Sequence, residues 1–310
     1  MTTLAQLQAM TTIVADTGNL DAIERLKPID ATTNPSLITQ VLSLPEFEPI
    51  LKDSLNKHPH DIDKVIDDLT VFIGTEILKR IDGKVSTEVD ARLSFDTKAT
   101  VKKALEFIKA YEEQGICKDR VLIKIASTWQ GIQAGRQLEK QGIHCNLTLL
   151  FGLHQAYACA DAGITLISPF VGRILDWQKR HENRETIPVT EDKGVLSVKA
   201  IYQYFKQHDY RTQIMGASFR NTDEILALAG CDLLTISPDL IDKLAKMDVA
   251  VTRQLSPNDG SDLPKQILTK DAFDEQLQND AMSTELLTNG IDGFIKAREA
   301  LADRLRSLAH

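Results

Sequence analysis

Cysteine is scarce in this chain, and so are the patterns that announce a metal, a nucleotide or a membrane. Its 310 residues include four cysteines, Cys117, Cys145, Cys159 and Cys231, with no C-x-x-C pair among them. They fall in apolar stretches and read as core thiols of a reducing compartment, so neither a disulfide framework nor a zinc site is implied. None of the seven histidines forms H-E-x-x-H, and most lie in polar stretches such as His58-Pro59-His60. No apolar run approaches the ~18 residues of a membrane helix. The opening Met1-Thr2-Thr3-Leu4-Ala5-Gln6 has no basic segment leading into an apolar one, so a cytoplasmic protein is expected. The 36 basic residues form no sustained run and the net charge is -8, which argues against a nucleic-acid or anionic-membrane partner.

What is present is ordinary globular material, 43% hydrophobic and 26% charged, enough for one large core or two smaller ones. Short strand-like runs recur at Ile13–Asp16, Thr32–Asn34, Val85–Val89, Val121–Ala126, Cys145–Leu149, Ile164–Ser168, Gln213–Ser218 and Asp232–Ile236, separated by stretches of helical period. Eight such runs in a chain of this length predict a (β/α)8 TIM barrel. The runner-up, a doubly wound open sheet, lacks its usual nucleotide loops: no G-x-G-x-x-G follows the first run and no G-x-x-x-x-G-K-[ST] occurs. The stretches 35–84, 171–211 and 238–310 exceed a single crossover helix, so each should hold an additional helix or ordered loop. The last, through Ile295–Leu305, predicts a helix packed outside the barrel. Without an internal repeat or a Pro/Gly linker, residues 1–310 read as a single barrel domain.

Within the fourth run, Val121-Leu122-Ile123-Lys124-Ile125-Ala126, a lysine stands where only apolar side chains are expected. A buried ammonium must pair with an anion, reach water at the strand end, or lose its proton. An amine kept from water in its neutral form attacks carbonyls to give a Schiff base.

Side chains alternate along a barrel strand, so every second residue shares a face. Lys124 then faces with Leu122 and Ala126; Asn146 with Thr148; Ser168 with Leu166 and Ile164; Ser218 with Gly216 and Arg220. Ser86, Glu88 and Asp90 share a face, and a polar face on a strand backed by helices has to point inward. Asp16 and Asn34 end the first two runs, and the C-terminal ends of barrel strands are where active sites form. Alone, Asp16 ahead of Thr17-Gly18-Asn19 reads equally as a helix cap or turn residue. Asn146-Leu147-Thr148 matches a glycosylation sequon only by chance if it lies in a strand of a cytoplasmic protein.

A lysine, carboxylates and arginines gathered at one barrel mouth suit a reaction that needs no metal and no coenzyme. The lysine condenses with a ketone, the iminium serves as electron sink, and Glu88 or Asp16 takes the hydroxyl proton whose loss breaks a carbon–carbon bond. Arg173 and Arg220, just past strand ends, offer guanidinium forks for a phosphate. Phe170 stands where it would keep water from a carbanion-like intermediate.

These residues lie in blocks that resemble the transaldolase family. Asp30-Ala31-Thr32-Thr33-Asn34-Pro35-Ser36-Leu37-Ile38 is similar to its first signature, and Ile123-Lys124-Ile125-Ala126-Ser127-Thr128-Trp129-Gln130-Gly131-Ile132 to the second. Asn146-Leu147-Thr148-Leu149, Ile167-Ser168-Pro169-Phe170-Val171-Gly172-Arg173 and Met215-Gly216-Ala217-Ser218-Phe219-Arg220 follow in the family order, with no departure at a functional position. The resemblance implies a Schiff base on Lys124, acid/base work by Asp16, and a water activated by Glu88 and Thr148. It implies contacts of Asn34, Asn146 and Ser168 with a dihydroxyacetone unit, and of Ser218, Arg173 and Arg220 with phosphate. It further implies transfer of that unit between sedoheptulose 7-phosphate and glyceraldehyde 3-phosphate in the non-oxidative pentose phosphate pathway, by a homodimer. A fructose 6-phosphate aldolase-like enzyme that releases dihydroxyacetone, and a non-catalytic sugar-phosphate sensor, stand as alternatives.

Overall fold

The computed structural model describes residues 1–258 and 260–309. Among them eight strands pair in parallel, each with its sequence neighbours: β1 (Thr12–Asp16), β2 (Asp30–Thr32), β3 (Val85–Glu88), β4 (Val121–Ala126), β5 (Cys145–Leu150), β6 (Leu166–Pro169), β7 (Gln213–Gly216) and β8 (Leu233–Ile236). Pairing of β8 with β1 closes the ring, so the barrel expected from the sequence is the fold observed. The strand β4 coincides with the predicted run because it is apolar on both faces. Val121, Ile123 and Ile125 join the core between sheet and helices, where each buried side chain contributes about 1.5–3 kcal/mol. On the inner face Val14, Leu122, Leu166, Met215 and Leu233 meet as an apolar plug. Lys124, two residues beyond Leu122, therefore stands one layer above that plug.

The second strand ends two residues earlier than predicted. Pro35 cannot continue a central strand, but it suits the first turn of a helix, and the chain turns into Pro35–Leu42 with Asn34 as its N-cap. The long stretches do contain extra helices. Glu48–Lys57 and Ile62–Leu78 follow Pro35–Leu42; Val171–Glu182 and Lys193–Gln207 lie between β6 and β7; Pro238–Lys246, Lys270–Asn279 and Ala281–Leu308 follow β8.

The C-terminal helix Ala281–Leu308 does more than pack outside. Its outer half lies on the barrel's helices, where Arg304 donates to the Leu42 carbonyl at 2.7 Å. Its middle crosses the barrel mouth, where a Cβ on Gly290 would stand 2.6 Å from Leu149 Cδ2, so a larger residue would have to push that side chain aside. Arg298 fastens the helix there through Asp63, Asp67 and Asp90, each at 3.1 Å. Asp90 is thus not an inward strand residue as parity suggested. It lies past the end of β3, capping the turn Ala91–Leu93 and pairing with Arg92 and Arg298.

Cys145, Cys159 and Cys231 are buried as expected, but Cys117 is exposed. It precedes the turn Lys118–Arg120 that leads into β4, a connection rather than a core element. Among the described residues no helix is long and apolar enough to cross a membrane.

Candidate active site

Strand register sets three polar side chains in one row across the barrel interior. Glu88 is paired with Lys124 on the adjacent strand, and Lys124 with Asn146 on the next. Lys124 is only 4% exposed; its Nζ donates to the Thr33 carbonyl at 2.9 Å and lies 3.1 Å from Glu88 Oε2. Of the three fates open to a buried lysine, pairing with an anion is the one observed. The Glu88 oxygen involved takes no aligned hydrogen bond, so the contact is one of charge at close range. Burial raises the Glu88 carboxyl above its ordinary range, against the opposing pull of Lys124. That makes Glu88 a better proton acceptor than a solvated carboxylate.

Asp16 closes the row from β1. Its Oδ1 accepts the Thr32 hydroxyl at 3.0 Å, and burial raises its carboxyl despite Lys124, the Thr32 bond and Arg173. The helix-cap role open to Asp16 in the sequence is taken by Asn19, whose Oδ1 accepts the Ala22 amide at 2.8 Å. Asp16 is left to face the cleft. Across the barrel, Asn146 Nδ2 donates to Ser86 Oγ at 3.0 Å, and Ser168 Oγ donates to Asn146 Oδ1 at 2.6 Å, which fixes the amide's orientation. This strand placement with full burial also removes Asn146 from any glycosylating enzyme. Thr148, on the same strand, is fully buried with a hydroxyl that has no hydrogen-bond partner among the described residues. Asn34 borders the cleft while its Oδ1 caps the Leu37 amide at 3.0 Å.

The cleft, open to solvent on one side, runs from Lys124 towards Phe170, Arg173 and Ser218. Parity misplaced this end. Gly216 points outward, where a Cβ would meet Leu234, while Met215 and Ala217 border the cleft. Ser218 reaches the cleft because the strand has ended and the chain turns through a left-handed conformation, with φ of 63°. The helix Val171–Glu182 starts tightly against this turn: the Gly172 amide donates to the Ser218 carbonyl at 2.9 Å, and a Cβ there would lie 2.3 Å from that oxygen. Arg173 points into the cleft, its guanidinium disfavoured by burial and by the charge of Arg220. Arg220 stands at the exposed rim, held by Asp176 at 2.8 and 2.9 Å. The two arginines are therefore unequal, one open and one occupied.

Behind Arg220 the carboxyls of Glu224 and Asp192 are buried together. Glu224 Oε2 accepts the backbone amide of Arg220 at 2.6 Å, while Asp192 Oδ1 accepts the amides of Gly194 and Val195. Burial, with Asp192 adding to it, pushes Glu224 up from 4.5 to about 7. A folded-state value above the unfolded one means that the stabilisation is complete below about pH 4.5 and is lost as pH rises through about 7. Glu224→Gln keeps an acceptor for Arg220 without the charge. Its thermal midpoint is expected to gain on that of the parent protein between pH 5 and pH 8, as estimated from this window. A pH-independent difference would show that Glu224 does not titrate there.

Comparison with known proteins places the chain in a family. The family model described as transaldolase/fructose-6-phosphate aldolase matches residues 13–305. The chain belongs to that family. A protein of Methylococcus capsulatus named transaldolase is 53% identical, with 98% of each chain covered. Those of so named proteins from Methylobacillus flagellatus and Cellvibrio japonicus are each 52% identical over 97% and 99% of this chain. The chain is accordingly an enzyme with transaldolase activity.

Several residues at the site were not singled out in the sequence. The Thr33 carbonyl that receives Lys124 is a backbone group, which no residue type reveals. Thr235 bonds Thr32 at 2.8 Å and borders the cleft; its place beside Leu233 on β8 made it findable by parity. Phe294 comes from the C-terminal helix, far along the chain from every barrel strand, and had no local signal at all.

Proposed function

We propose that Lys124 is the Schiff-base residue of this enzyme and that it moves a dihydroxyacetone unit from sedoheptulose 7-phosphate to glyceraldehyde 3-phosphate. Erythrose 4-phosphate and fructose 6-phosphate are the products. The observation that carries this reading is the buried Lys124–Glu88 contact at 3.1 Å, one layer above an apolar plug. Glu88 takes a proton from the lysine, and the neutral amine adds to the ketose carbonyl. The carbinolamine loses water to become the iminium, with Glu88 and the Thr148 hydroxyl handling that water. Asp16 then accepts the proton of the hydroxyl at the carbon beyond the scissile bond. The bond's electron pair moves towards the iminium, leaving an enamine on Lys124 and a free aldose. A carboxyl raised by burial is better matched to this proton transfer than a solvated one. The acceptor aldehyde runs the same steps backwards.

Asn34, Asn146 and Ser168 hold the hydroxyls of the three-carbon unit in this reading, and Arg173, Ser218 and Arg220 the phosphate. Phe170, in contact with Phe151 at a ring-centroid separation of 5.8 Å, keeps bulk water from the enamine. Transfer is distinguished from aldol cleavage by supplying fructose 6-phosphate without an acceptor and measuring free dihydroxyacetone. About one equivalent of glyceraldehyde 3-phosphate per site is expected, with dihydroxyacetone kept on the lysine; sustained release of dihydroxyacetone would place the chain with the aldolases of its family instead. A homodimer belongs to the same reading, and sedimentation velocity giving only the 34.5 kDa monomer would remove it.

A further inference from the structure

We infer that Phe294 of the C-terminal helix determines selectivity for phosphorylated substrates, by bracketing the Arg173 guanidinium together with Phe170. This rests on the reading of Arg173 as a phosphate ligand given above. The guanidinium carbon lies 4.9 Å from the Phe170 ring centroid and 5.7 Å from that of Phe294. Among the described residues the Arg173 guanidinium makes no hydrogen bond or salt bridge, and only burial and neighbouring charges act on its ionisation. Most partly buried arginines are held by a carboxylate, which consumes the N–H fork. Here two ring faces hold the plane through cation–π attraction and leave the fork for an oxyanion. Arg220 contrasts with it, since Asp176 occupies its fork.

The helix is built to deliver this ring. Gly290, Phe294 and Arg298 are spaced four apart and share one face. A Cβ on Gly290 would lie 3.2 Å from Arg173 Nη1, so the helix passes close over the guanidinium at this glycine. Arg298, one turn beyond Phe294, is tied to Asp67 and Asp90, and Asp90 follows Glu88 of β3 by two residues. The bracket is therefore anchored to the strand that carries the proposed acid/base group.

The test compares the parent protein with Phe294→Leu and Phe294→Tyr, using fructose 6-phosphate as donor and either glyceraldehyde 3-phosphate or glyceraldehyde as acceptor. In Phe294→Leu the KM for the phosphorylated acceptor is expected to rise about tenfold, with less than about a twofold change for glyceraldehyde. Phe294→Tyr, which keeps a ring face, is expected to restore the parent selectivity. Equal losses with both acceptors, or none, would overturn the assignment. Calorimetric binding of inorganic phosphate to both proteins needs no turnover. It decides the point even if the parent shows no transfer, a result that would sink the proposed reaction instead. Affinity weakened about tenfold in Phe294→Leu supports the bracket, and unchanged affinity refutes it.

Discussion

Replacing Lys124 with methionine is expected to lower turnover by on the order of 10⁴-fold or more, because among the described residues that line the cleft no other is a lysine that could form the proposed covalent intermediate. Methionine fills the space and leaves β4 intact, so the barrel should fold. Breaking a buried ion pair ordinarily costs about 3–5 kcal/mol through the charge left behind. Here the loss should be smaller, since burial already raises the Glu88 carboxyl and it can take up a proton once alone. Borohydride reduction in the presence of fructose 6-phosphate, followed by peptide mass mapping, reads the outcome directly. The parent protein should carry a three-carbon adduct on Lys124, and the variant none. An adduct on another lysine, or residual activity above about 1%, would remove Lys124 from the centre of the mechanism.

Asp16→Asn is expected to separate the two halves of the reaction. Loss of a general base typically costs about 10²- to 10⁴-fold, and here the loss should fall on carbon–carbon cleavage. The amide keeps the shape of the carboxyl and can still accept the Thr32 hydroxyl seen at 3.0 Å. Imine formation, served by Glu88, should survive. Trapping would then recover the intact six-carbon ketose phosphate on Lys124 rather than its three-carbon remnant. Recovery of the three-carbon adduct at the parent rate would mean that another group accepts the proton, and failure to trap anything would place Asp16 earlier, in imine formation.

The site was legible wherever a strand ran without interruption. On β4 the apolar run gave both boundaries, and alternation set Lys124 on one face with Leu122 and Ala126; that Glu88 and Asn146 stand beside it follows from the register between strands, which no single run carries. Alternation failed where the chain leaves the sheet. Pro35 turned Asn34 from a strand end into a helix cap, and the left-handed turn at Ser218 broke the alternation counted from Gly216. Arg220 was placed correctly past its strand, but its capture by Asp176 depends on a helix from another crossover. Phe294 was illegible for a stronger reason. The periodicity of its helix predicts a buried face without saying what covers it, and Asp63, Asp67 and Asp90, more than 200 residues earlier, fix its place on the mouth.

Finally, the plug formed by Val14, Leu122, Leu166, Met215 and Leu233 gives the proposed transfer a traffic rule. It bars passage along the barrel axis beneath Lys124, so donor, departing aldose and incoming aldehyde share the upper doorway and must use it in turn. The first product has to clear the threshold before the second substrate enters. Chemistry that stores half a reaction on a lysine is thereby matched to a room in which its visitors queue.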